Sequence, residues 1–455
     1  MSQELAAISP EWAWQPYEPS AEQPWNVRRA AHVFRRAGFA ANWDTLQAAV
    51  KRDPHELIKE VIAERETAEF QQDMSDLAST VLAGGDPRSL SHWWLYRLQH
   101  TTSPLVEKMT LFWHGHFATS AAKVTNANIM YRQNRLFRSH ALGDFRKMTQ
   151  AIARDPAMLI YLDSDSNRKS HPNENFAREL MELFCLGEGN YTEQDIRQLA
   201  RCFTGWEVRN DKFRFNRFQH DKDDKSIFGE SGKFTGENGV DLVVSHPAAP
   251  RFLVTKLARY FLLDEPALPA TLIEPLAKEL RDNEMVVGPT VARMLSSNLF
   301  HSSWSLGRKI RSPVELAVGL LRGLDGTTNA EVLANDLENL DQRLFFPPNV
   351  KGWDGGRTWI NSATLLGRAN FVRRLLDNDK TRFAKGKLPA IFEKHGIEGG
   401  EDRVNWLLDV LIAVEVPNSV RTRLIQLYRK SAGNDEVACR NIVHTLSTLP
   451  EFQLS

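Results

Sequence analysis

Residues 171–187 read HPNENFARELMELFCLG, and their pattern decides how the rest of the chain is read. Pro172 has a fixed helical φ and lacks an N–H that a first helical turn would leave unpaired, so a helix is predicted to open near His171. On a 3.6-residue period Phe176, Ala177, Leu180, Met181, Leu183 and Phe184 fall on one side, and Asn175, Arg178, Glu179 and Glu182 on the other. Gly187, followed by Gly189 and Asn190, ends the helix. The polar side has two readings. It is a solvated face on which Glu174, Arg178 and Glu182 pair at i,i+4 spacing. Alternatively it faces a neighbouring element, and its carboxylates then need partners and can bind metal or move protons.

Two other stretches are expected to converge on this helix: FWHGHFATS at 112–120 and FQHDKDDK at 218–225. Together the three hold four of the chain's 13 histidines, in aromatic surroundings that point to a polar site inside a helical core. The run SPLVEKMTLFWHGHFATS, 103–120, is predicted as one long helix with Glu107 in its first turn. His114 and His116 are two apart and face nearly opposite ways, so a single metal takes only one of them; His114 shares a face with Glu107. Gly115 between them calls for a reason such as close approach of another backbone. Each histidine also reads as a core residue bonded to a neighbour.

Further along, Thr192, Glu193 and Asp195 form a helix-start signature, and Ser312 caps PVELAVGLLRGL. Around Trp206 the period changes from helical to alternating, and Asn210 and Asp211 supply the turn of a short β-hairpin over 206–218. His220 and Asp221 leave that hairpin as a ligand or acid/base pair, or as part of a solvated acidic loop. In the Pro-, Gly- and Trp-rich run 345–368, Trp353 and Trp359 either stack on a sugar or pin the turn to the core.

The fold class expected is mainly α: a large multi-helix core domain with one short β-hairpin and a small C-terminal helical unit. The organisation is an N-terminal arm at 1–24, the helical core at 25–378, a polar linker or insertion at 379–402 and the helical unit at 403–455. A polar, Gly-bearing loop is expected at 64–89. Lys plus Arg and Asp plus Glu number 57 each, so no global field steers the chain to nucleic acid or an anionic membrane. Cys185, Cys202 and Cys439 are too few and scattered for a disulfide framework and read as buried apolar residues. The opening residues lack a basic and an apolar signal segment, and a cytoplasmic location is expected.

Helix-borne carboxylates with histidines are the constellation of carboxylate-bridged metal sites in helical bundles, although the Glu-x-x-His pair of that class is missing. An enzyme reading therefore assigns acid/base work to Glu179, Glu182, His220 and Asp221. It assigns a divalent metal ion to His114, His116, Glu179 and His220. A competing reading is a non-catalytic protein- or glycan-binding partner that uses its Trp-rich loops. Asn175, Arg178, Trp206, Lys351, Trp353 and Trp359 are the contact residues.

The motifs FWHGHFATS, NRKSHPNENFARELMELFCLG, YTEQDIRQLARCFTGW, PPNVKGW and LSTLPEFQLS together resemble the bacterial domain-of-unknown-function family 1800, from about Trp25 onward. That resemblance carries no reaction and no functional residues. It implies a partner of the alkaline-phosphatase-like class encoded nearby and relatives that are often exported. From the balanced charge, gel-shift assays at moderate salt are expected to show no binding to a generic DNA duplex; salt-sensitive binding there would overturn this reading.

Overall fold

The computed structural model describes residues 2–63, 65–431 and 433–455. Helices dominate, and the β structure of the described residues is three two-stranded antiparallel sheets plus isolated bridges. The mainly α class is as the periodicity predicts. The expected hairpin pairs Trp206–Arg209 with Lys212–Phe215. Its turn residues Asn210 and Asp211 both take positive φ, 51° and 59°, the conformation that matches strand twist in a two-residue loop. A second hairpin, Lys225–Ile227 with Glu230–Gly232, and a third pairing, Gly326–Thr327 with Arg382–Phe383, consist of strands too short to leave an alternating signature.

Three boundaries differ from expectation for local reasons. The central helix opens at Asn175 rather than near His171, because the Asn173 side chain accepts the Asn175 N–H and donates to the Asp163 carbonyl. The helix Pro104–His116 ends before Phe117, where Gly115 and His116 meet the Trp-rich loop. The expected polar loop at 64–89 contains the helix Ala68–Ala83, capped by Thr67 Oγ1 on the Phe70 N–H; Glu64 lies outside the described residues. Only Met74 and Ala78 of that helix are fully buried, so its apolar stripe is thin.

Packing produces two hydrophobic clusters. The first gathers Trp113, Phe117, Phe145, Phe184, Leu257 and their neighbours. The second joins Trp93, Trp94 and Leu316 to Leu407, Ile442 and Phe452 of the last helices. Buried arginines tie the two ends of the chain across these clusters. Arg35 donates to the Val410 carbonyl at 2.7 Å, and Arg311 to those of Leu411 and Leu454 at 2.7 and 2.9 Å. Among the described residues, no helix is long and apolar enough to cross a membrane.

Glu107, fully buried, is the charged node of the helical core. Its carboxylate accepts Trp94 Nε1 at 2.8 Å, Arg97 Nε at 2.6 Å and Arg138 Nη2 at 3.0 Å, with a further contact from Arg138 Nε. Burial alone would raise its pKa, but Arg138 and Arg97 outweigh that and hold it at about 2. Glu315, capped into the Ser312 box and paired with Lys108, is likewise held at about 2.

These depressed values have a definite sign in stability. A carboxylate at about 2 folded and 4.5 unfolded contributes fully above pH 4.5, and that contribution is lost as the pH falls to about 2. For Glu107 it is worth about 3 kcal/mol. Glu107→Gln keeps the shape but leaves two arginines unmatched, and is expected to lower stability by about 3–5 kcal/mol in urea unfolding. The variant should also lose less stability than wild type between pH 4.5 and 2, and an unchanged pH profile would show that Glu107 is not ionised in the folded state.

Candidate functional site

The second half of the central stretch is a π-helix, Leu180–Cys185. The Met181 carbonyl accepts from the Leu186 and Gly187 N–H groups at 2.9 and 3.1 Å, spans one and two residues longer than the α-helical bond. The carbonyls at the end of this turn are taken by side chains from outside. His116 Nε2 meets the Phe184 carbonyl at 2.9 Å, and Lys256 Nζ donates to the Leu183 carbonyl at 2.8 Å. A carbonyl partner requires the proton on Nε2, which leaves His116 Nδ1 to accept from Lys256 Nζ, 3.4 Å away. The stretches 112–120 and 171–187 thus do meet, through His116.

The Trp-rich loop closes over the end of the Pro104–His116 helix. At Gly352 φ is +78°, and a Cβ there would lie 2.1 Å from the Gly115 carbonyl oxygen, so two backbones touch at the position where the sequence called for a close approach. His114, facing the other way from His116, accepts the Phe345 N–H at 3.1 Å on Nε2 and packs among Trp94, Phe345 and Trp353. Burial takes its pKa down to about 3 and that of His116 well below the ordinary value.

Between this loop and the helix Ala248–Phe261 lies a cleft of about 240 Å³. Its walls include His116, Lys256, Arg259, Lys351, Trp353 and Trp359. Deeper cations are neutralised: Lys309 is 3.1 Å from Asp264, and Lys108 pairs with Glu315. Lys256, Arg259 and Lys351 make no ion pair among the described residues. Against them the lining sets Asp354, exposed on the rim. Burial lowers the Lys256 pKa to about 8, helped by the charge of Arg259 and opposed by Cys185.

Lys351 also faces the polar stripe of the central helix. Burial, and then Glu182, raise the pKa of half-buried Glu179, while Arg178 and Lys351 oppose the shift. Glu182 accepts the Tyr191 hydroxyl at 3.3 Å. Arg178 makes a two-pronged pair with Glu193, 2.8 Å on each arm, and reaches Glu174 at 3.3 Å. Exposed Asn175 donates to the Leu162 carbonyl at 3.2 Å, and Trp206 is core, packed against Phe203 and Phe213 with Gly236 beneath it.

The third stretch, 218–225, is held elsewhere. His220 Nδ1 bonds the Thr204 carbonyl at 2.9 Å and its ring meets Phe215 edge-on. Asp221 is clamped by Arg201 Nε at 2.7 Å and Nη2 at 3.2 Å, while Lys225 Nζ donates to the carbonyls of Asp221 and Asp223. Burial pushes the Asp221 carboxyl up and Arg201 more than reverses it, leaving it below the ordinary range. No hydrogen bond or ion pair joins this loop to Glu179, Glu182 or His116 among the described residues.

His114, His116, Glu179 and His220 are therefore not brought together as a donor set. Among the described residues, three metal-capable groups converge only at Asp44, Asp325 and His395, where Lys394 Nζ already sits 2.9 and 2.6 Å from the two carboxylates. The residues present do not fit the divalent ion that the motifs suggested. Lys256 and Arg259 were not singled out from the sequence. The available signal was weak: Lys256, Arg259 and Tyr260 share one face at i, i+3 and i+4 of RFLVTKLARYF.

No curated protein and no solved structure matches the chain. The family described as "Protein of unknown function (DUF1800)" matches residues 32–454, a span that takes in the second hydrophobic cluster, most of the first, the π-turn and the cleft. The chain belongs to the DUF1800 family.

Proposed function

We propose that this protein is a ligand-binding protein whose cleft beneath the Trp-rich loop takes a small anionic ligand, an acidic sugar being the class that suits it. The observation that carries this reading is the set of three cations, Lys256, Arg259 and Lys351, on one cleft without carboxylate partners. Lys256 is half-buried while Arg259 and Lys351 are exposed, so the three together set a local positive field that attracts an anion. Trp353 and Trp359 add flat apolar surface, which suits the face of a sugar ring. The reading retains Lys351, Trp353 and Trp359 as contact residues and does not use Asn175, Arg178 or Trp206. It favours the binding alternative over a metal-dependent enzyme, whose residues lie on three separate networks.

Isothermal titration with glucuronate and with glucose tests the reading. Glucuronate should bind and weaken with added salt, while glucose should bind at least about tenfold less tightly, a difference of about 1.4 kcal/mol. The double variant Arg259→Ala, Lys351→Ala should raise the glucuronate Kd about tenfold or more. Equal affinity for the two sugars, or no binding of glucuronate, would overturn the reading.

A further inference from the structure

Four lysines lie in or behind the cleft, and their surroundings separate one from the rest. Lys108 pairs with Glu315 and Lys309 with Asp264, so each of these ammonium groups has a carboxylate partner. Lys351 is exposed. Lys256 is half-buried and is bonded only to neutral acceptors, the Leu183 carbonyl and His116 Nδ1, with the Phe252 ring 4.7 Å from its Nζ. The titratable and charged groups that bear on it are His116 from one helix, Cys185 from the π-turn and Arg259 from its own helix. None is a carboxylate. A half-buried amine with no carboxylate partner gives up its proton more readily than a solvated lysine, consistent with a pKa lowered to about 8.

We infer that Lys256 is a carbonyl-capturing amine, which forms a reversible imine with a small anionic aldehyde or 2-keto acid held in the cleft. The inference rests on the anion-binding reading, since Arg259 and Lys351 are the groups that would take the ligand's carboxylate. The neutral amine adds its lone pair to the carbonyl carbon, and the C=O π pair moves to oxygen. That oxygen takes the proton that nitrogen releases, giving a carbinolamine. Loss of the hydroxyl group as water forms the C=N bond, and hydrolysis returns both partners unchanged. No oxidant, reductant or further reactant enters. The Leu183 carbonyl and His116 Nδ1 hold Nζ at the cleft wall and so position the amine.

Glyoxylate with cyanoborohydride provides the test, because reduction of the imine leaves a carboxymethyl group that peptide mass mapping locates. Glycolate, an anion of similar size without a reactive carbonyl, reports binding alone. Expected results are modification at Lys256 at least about tenfold faster than at Lys351 or other surface lysines, slowing when glycolate is added, and a rate that rises through about pH 8. Lys256→Arg should abolish labelling at that position and leave the slow labelling of the surface lysines unchanged, while glycolate binding is read on the wild-type protein. Labelling spread evenly over surface lysines, or glycolate binding without trapping at Lys256, would overturn the imine and leave the anion reading standing. Failure of both glycolate and glyoxylate to bind would remove the anion reading and the imine with it.

Discussion

A helix that widens into a π-turn leaves backbone carbonyls without the donors a regular helix would supply, and buried carbonyls must find others. At Leu180–Cys185 those donors come from two different helices: His116 for the Phe184 carbonyl and Lys256 for that of Leu183. The requirement fixes the position of the Ala248–Phe261 helix relative to Pro104–His116, and it fixes the tautomer of His116. It also brings to the cleft wall an amine that no acid pairs with among the described residues. The geometry of the candidate site follows from one irregular turn more than from any motif of acids and histidines.

The same constraint explains why a histidine-rich motif can look like a metal site in the sequence and be something else in the fold. A backbone partner occupies one ring nitrogen and leaves the other, so these histidines fail as a donor set because each is held in a different network. His116 and His114 have separate backbone partners, Phe184 and Phe345, and His220 has Thr204. Two acids behave in parallel: fully buried Glu107 and part-buried Asp221 are matched by arginines rather than left to share a proton or a cation. Glu179 and Glu182 differ, being half-buried with no arginine clamp of their own, and they connect to the cleft only through the charge of Lys351.

Much of the fold was legible because its signals are local. The hairpin at Trp206 shows in its Asn-Asp turn, the capping boxes at Thr192 and Ser312 show in side chains three residues apart, and the apolar side of 176–184 shows in its period. The opposed faces of His114 and His116 followed from helix geometry and the backbone contact at Gly115 from the cost of a mid-helix glycine, although the crowding itself falls on Gly352, since a Cβ on Gly115 would meet only Trp353, at 4.0 Å. What stayed hidden is set by distant partners. A π-turn has nearly the sequence pattern of an α-helix, so nothing in LMELFC marks its wider hydrogen bonds. Lys256 reads as one cation on an amphipathic helix until the fold shows that no acid faces it. The helix Ala68–Ala83 buries so little that its pattern resembles a polar loop.

A chain with equal numbers of acids and bases can still hold a positive site, because a net charge says nothing about which charges are neutralised by other charges. This protein repeatedly meets its buried cations with backbone carbonyls. Arg36 donates to Phe261 and Ser305, Arg35 to Val410, Arg368 to Arg311, and Lys256 to Leu183. Carbonyl dipoles satisfy the donors but do not cancel the charge, and burial pulls Arg36, Arg311 and Arg368 down to about 10. The inner acids Asp264 and Glu315 oppose that shift at Arg36, and Glu315 does so at Arg311 and Arg368. Interior cations satisfied largely by carbonyl dipoles, with only a few acids beside them, are how a chain of zero formal charge carries positive charge locally.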